Sequence, residues 1–143
     1  MTPSLIPQQV IGSLYEKKYF RQDKDLVDQA LNRLMADHPL FRSFFETYEG
    51  SFWSEHLGYE LLDIVDGSET VETSTGVCRN KFGFPPQFLV LTQLSTGQVV
   101  VLNVHTDKVY EVDFEGGEKL LLSGELPPRW TSFDEFLKDY FKV

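Results

Sequence analysis

Three histidines, one cysteine and two runs of carboxylates are the side chains here with which acid-base, nucleophilic or metal chemistry could be done. His38, His56 and His105 stand far apart, and no two have the four-residue separation that puts two imidazoles on one helix face over a metal ion. Glu55 and His56 adjoin, yet sequence neighbours point in different directions on a helix or a strand, so the pair is not an acid-base unit. Cys78 is the sole cysteine, which excludes an internal disulfide and a cysteine-based zinc cluster; it reads as a buried, inert thiol. Gly116-Gly117, flanked by Glu115 and Glu118, reads as a hairpin turn and not as a phosphate-cradling loop. Carboxylate pairs such as Asp63 with Asp66 could serve as general acid and base, but a chain with 22 acidic against 13 basic residues makes such pairs by chance. The expectation is a protein without catalytic residues, metal or cofactor.

Charge is more informative. The formal net charge is -9 and the isoelectric point lies near 4.7, so most of this surface repels nucleic acid. The acids concentrate at Asp63, Asp66, Glu69 and Glu72, and again at Glu111, Asp113, Glu115 and Glu118. Such carboxylates keep a small protein soluble, and they also suit a face that steers a basic protein partner into contact. Trp53, between Glu49 and Glu55, is the aromatic candidate for a contact anchor, whereas large aromatics such as Trp130 more often fill a core.

These residues need elements to hold them. Four runs rich in Val, Leu, Phe and Tyr, at Phe88–Leu94, Gln98–Val104, Lys108–Phe114 and Lys119–Leu122, are separated by short turn sequences and predict an antiparallel meander. Phe88–Leu91 and Val99–Leu102 are continuously apolar, which predicts cover on both faces of the sheet. Helices must provide it. Phe133, Phe136, Leu137, Tyr140 and Phe141 form one apolar stripe behind a Ser132/Glu135 capping box. Leu26, Val27, Ala30, Leu31 and Leu34 form a second stripe, and Leu40, Phe41, Phe44, Phe45 and Tyr48 a third, divided by His38-Pro39 and stopped at Gly50. Tyr59–Val65 reads as a strand, Asp66–Ser68 as a turn, and Glu69–Phe82 as a helix ended by Gly83 and Pro85-Pro86. Val10, Ile11, Leu14, Tyr15 and Tyr19 give a weak helical pattern near the start.

The expected fold class is therefore α+β, with a central antiparallel sheet packed by N-terminal helices and a C-terminal helix. With 41% hydrophobic and 14% aromatic residues, 143 positions suffice for one domain, residues 1–143, of which 1–23 form an N-terminal extension. No secretory leader pattern and no apolar run of about 20 residues is present, which points to a soluble, cytoplasmic protein.

The order of Leu40–Gly50, the Thr73–Arg79 segment leading to Phe82-Gly83-Phe84-Pro85, Lys108–Asp113 and Trp130–Leu137 resembles the SUKH superfamily over roughly residues 24–141. That superfamily includes yeast regulators of cell-wall glucan synthesis and bacterial immunity proteins. The resemblance implies an α+β binding protein, and for bacterial members one that blocks a cognate toxin, often a nuclease or deaminase with a basic cleft. A regulatory or scaffold module is the alternative, and an enzyme acting on a small molecule ranks third. The partner-contact candidates are Glu111, Asp113, Glu115, Glu118, Asp63, Asp66, Glu69, Glu72 and Trp53.

Overall fold

Proline, histidine and a run of phenylalanines set the first helical pair. In the computed structural model, which describes residues 24–34, 36–48, 52–54, 56–65, 67–94 and 97–141, α1 spans Lys24–Arg33 and α2 spans Pro39–Thr47. Pro39 occupies the first turn of α2, where its missing N–H is no loss, and His38 caps the helix by accepting the amide of Phe41 on Nδ1 at 3.1 Å. Val27, Ala30, Leu31 and Leu34 of the second stripe are buried, but Leu26 is exposed and lies off it. Of the third stripe, Phe41, Phe44, Phe45 and Tyr48 are buried and Leu40 is half-buried, while α2 stops at Thr47, before Gly50, which lies outside the described residues. The expected extension, residues 1–23, also lies outside them.

Two short strands follow, β1 at Phe52–Ser54 and β2 at Tyr59–Leu61, paired antiparallel with Trp53 opposite Glu60. Ser54 holds the intervening turn, accepting the amide of Leu57 on its hydroxyl and that of Gly58 on its carbonyl. The predicted strand Tyr59–Val65 is thus shortened: Leu62 leaves the ladder to donate to the carbonyl of Leu91, and Asp63 turns inward. Helix α3, Val71–Phe82, starts at a capping box in which Thr70 and Thr73 each bond the other's amide, and ends at Gly83 with φ 72°.

The main sheet is a three-stranded meander, β3 (Phe88–Val90), β4 (Gln98–Asn103) and β5 (Val109–Asp113), in the order β3-β4-β5. Leu89, Val100, Leu102 and Val109 point to one face, where they join α1, α2 and the last helix, α5 (Phe133–Tyr140); Phe88, Val90, Val99, Val101 and Val112 point to the other, with Cys78 of α3. Both faces are covered, which is why these strands read as unbroken apolar runs.

The expected fourth strand, Lys119–Leu122, is a correction. It lies in helix α4, Gly117–Ser123, bounded by Gly116 at φ 117° and Gly124 at φ 82°. Leucine is a strong helix former, and only Leu121 of the three leucines is buried, so the segment lays one edge on the sheet instead of extending it.

Two tethers bind the layers. The hydroxyl of Tyr140 accepts the amide of Leu61 at 2.8 Å and lies within donating distance of the carbonyls of Phe52 and Tyr59, fastening the β1-β2 hairpin to α5. His38, whose Nδ1 accepts a backbone amide, carries its proton on Nε2 and donates it to Asp107 Oδ1 at 2.5 Å; the same oxygen accepts the amide of Phe133 at 2.9 Å. Asp107 sits at φ 67°, a conformation that Asp and Asn tolerate better than most residues. Asp107→Ala is expected to lower stability in urea denaturation by about 2–4 kcal/mol, from the unpaired imidazole N–H and the strained alanine. Asp107→Asn, which keeps the acceptor, should lose less than about 1 kcal/mol. Equal losses would remove this account of the tether.

Candidate functional site

Where the two sheets meet, the main core opens to solvent. The β1-β2 hairpin forms one wall of a cleft of about 490 Å³, and the start of β4 with Glu111 of β5 forms the other, with Val100 among the lining residues. Trp53 and Glu60, directly opposite each other across the hairpin, stand on its outward face; Trp53 is 54% exposed. Glu60 accepts a hydrogen bond from Gln93 Nε2 at 3.0 Å. Across the cleft, Glu111 of β5 pairs with the guanidinium of Arg129, which also lies 4.8 Å from the ring centre of Trp130.

Behind this pair is a structural network. Trp130 is buried and bridges the edge of β5, exchanging backbone bonds with Val109 at 3.0 and 3.1 Å. Its indole N–H donates to Asp139 Oδ2 at 2.8 Å, and Asp139 Oδ1 pairs with His56 Nε2 at 2.9 Å. That imidazole-carboxylate pair joins the hairpin turn to α5. Tyr59 also lines the cleft. Its hydroxyl oxygen is buried without a hydrogen-bond partner among the described residues, and burial, aided by the nearby Glu111 carboxylate, raises its pKa.

Of the acids expected to form a partner face, only Glu111 joins Trp53 in the cleft. Asp113, Glu115 and Glu118 lie at the turn from β5 into α4. Asp113 there accepts the amides of Glu115 and Gly117 at 3.0 and 3.1 Å, and Glu118 accepts that of Gly116 at 3.2 Å, so two of the three support the turn. Glu69 and Glu72 lie at the start of α3, and Glu72 is held by Arg33 of α1 through two bonds of 2.7 and 2.8 Å. Asp63 is a correction: it is fully buried, with Oδ2 accepting the amide of Val65 and its carbonyl that of Val71, and it presents nothing to a partner. Asp66 lies outside the described residues.

Tyr59, Glu60 and Arg129 are the site residues that the sequence did not single out. The signal was the hairpin register, legible only if Phe52–Ser54 is taken as a strand returning through Gly58.

Cys78 lies on the far face of the sheet, fully buried, and burial pushes its thiol from 9.0 up to about 11. Two pKa units make the thiolate roughly a hundredfold scarcer near pH 8, and burial blocks access besides. A chromogenic disulfide reagent should therefore label it only at the rate of unfolding. Because the folded pKa exceeds the unfolded one, its contribution is full below the unfolded value and is lost as pH rises toward 11. Rapid labelling in native buffer would contradict this placement.

Among the described residues no three His, Cys, Asp or Glu side chains are grouped so as to hold a metal ion, and no helix is long and apolar enough to cross a membrane. The chain matches no family model and no curated protein.

Proposed function

We propose that this chain is a stoichiometric, non-enzymatic binding protein of SUKH type, acting in the cytoplasm on a basic protein domain, and that in a bacterial cell it serves as the immunity partner of a toxin. The observation that carries this reading is the half-exposed Trp53, set beside Glu60 at the mouth of a cleft whose other wall bears Glu111. A large aromatic left in water beside a cavity costs solvation that partner binding recovers, and such residues dominate binding energy at interfaces. The net charge of -9 supports a basic protein partner over nucleic acid or an anionic membrane, since it attracts the first and repels the others. A toxin that acts on nucleic acid needs a basic substrate cleft, which an acidic protein can fill.

Co-expression with the toxin encoded beside this chain is the test. Rescue of growth, together with a complex that survives size-exclusion chromatography, is the expected result. A neighbouring toxin that neither binds nor is neutralised overturns the immunity reading, and recovery of a cell-wall synthesis component instead would make the chain a regulatory module.

A further inference from the structure

We propose that Asp139 is the positioning residue of the cleft, one carboxylate setting both walls and so the fit of the partner, although it lines no part of the cleft itself; this rests on the binding role proposed above. Its two oxygens are divided between the walls. Oδ1 pairs with Nε2 of His56 at 2.9 Å, and His56 directly precedes Leu57 and Gly58, which line the hairpin side. Oδ2 accepts the indole N–H of Trp130 at 2.8 Å, and that indole lies against the guanidinium of Arg129, which pairs with Glu111 on the opposite side. The turn moves as a unit, because Ser54 holds the amides of both Leu57 and Gly58. Trp130 is as firmly joined to the sheet, being buried and exchanging backbone bonds with Val109 of β5. A displacement of the Asp139 side chain is therefore felt on both sides.

Local helix energetics do not call for an aspartate here. Asp139 lies in the last turn of α5, where the carbonyl end of the helix disfavours a negative charge and where Asp is a poorer helix former than Ala, Leu or Lys. What it supplies is two acceptor oxygens on a short stem, enough for donors from two different elements. The pair with His56 is partly exposed on both sides, so it adds little to global stability and its effect is on position. Tyr140, the next residue, ties the strands of the hairpin to α5, which leaves Asp139 to fix the turn and to link it with Trp130.

Hydrogen exchange followed by nuclear magnetic resonance in the full chain tests the link without a partner. In Asp139→Ala, the amides of Leu57 and Gly58 on one side, and the indole N–H of Trp130 with the amide of Arg129 on the other, should exchange about fivefold faster or more. The amide of Leu91, bonded to Val100 within the main sheet, should not change. Asp139→Asn should restore most of the protection, since its oxygen accepts the indole N–H and its NH2 donates to His56 Nε2 once the imidazole carries its proton on Nδ1. Fit is read by calorimetric titration with the co-expressed toxin domain. Asp139→Ala should weaken binding about tenfold and Asp139→Asn less than about threefold, whereas Asp107→Ala, which loosens the other end of α5, should stay within about threefold of wild type although it costs more stability. Unchanged exchange in Asp139→Ala, a response confined to one wall, an Asn variant as damaged as the Ala variant, affinities ordered by stability, or wild-type affinity for Asp139→Ala overturns the proposal. Its failure is separable from that of the immunity reading. Wild-type neutralisation by Asp139→Ala removes the positioning role and leaves the binding role; if no toxin binds, the immunity reading falls and exchange alone decides whether Asp139 joins the walls.

Discussion

Phe44→Ala is expected to lower the unfolding free energy by about 3–5 kcal/mol, a large part of the total stability of a domain this size. Phe44 is fully buried, and its ring meets those of Phe45, Phe52, Phe133 and Phe141, with centroids 5.0, 5.3, 6.2 and 6.1 Å away. It therefore touches α2, the hairpin and both ends of the α5 segment at once. Truncation leaves a cavity lined by aromatic rings that cannot all close on it, because they are fixed to α2, to β1 and to the two ends of α5. No polar atom is unpaired by the change, so the loss is one of packing alone. Urea denaturation followed by circular dichroism measures it, with Leu120→Ala on the exposed side of α4 as a control that should shift stability by less than about 1 kcal/mol. A Phe44→Ala midpoint within error of the parent would show that the aromatic cluster does not hold these elements together.

Trp53→Ala should leave the fold intact and weaken partner binding by about 2–4 kcal/mol, or roughly 30- to 1000-fold in Kd. The indole is more than half exposed in the free chain, so its removal opens no cavity, and stability should change by no more than about 0.5 kcal/mol. In the complex the same ring would be covered. Glu115→Gln, at the turn into α4, is the contrasting variant: it removes a charge outside the cleft and should alter affinity by less than about 1 kcal/mol, mainly through the association rate. Calorimetric titration with the co-expressed toxin domain gives both values. Wild-type affinity for Trp53→Ala, with a large loss for Glu115→Gln, would move the interface from the cleft to the β5-α4 turn.

The helices and the central strands were legible because their burial is local and periodic. The stripe Phe133, Phe136, Leu137, Tyr140 lies on one side of a helix whose Ser132 cap accepts the amide of Glu135, as the spacing indicates. The runs at Val99–Leu102 were legible for the opposite reason, since two covered faces erase alternation. Lys119–Leu122 misled because three consecutive leucines fit a buried strand as well as a short helix, and the glycines bracketing them, Gly116 and Gly124, carried the decision. The acids misled in a different way. Linear clustering reports where carboxylates are, not what they bond: Asp63 faces the interior, Asp113 holds a turn and Glu72 joins two helices, whereas Glu60, in neither cluster, lies beside Trp53. Only strand pairing brings those two together, and pairing between three-residue strands leaves little trace in sequence.

The Tyr140 hydroxyl has a consequence for time as well as for space. A hairpin of two three-residue strands has little stability by itself, and this one is fastened by bonds spanning 79, 81 and 88 positions of the chain. During synthesis the residues around Trp53 emerge early, but their wall of the cleft cannot set until Tyr140 has left the ribosome and docked. On the binding role proposed above, a nascent chain short of that residue would present no finished cleft, and recognition would wait for α5 to arrive.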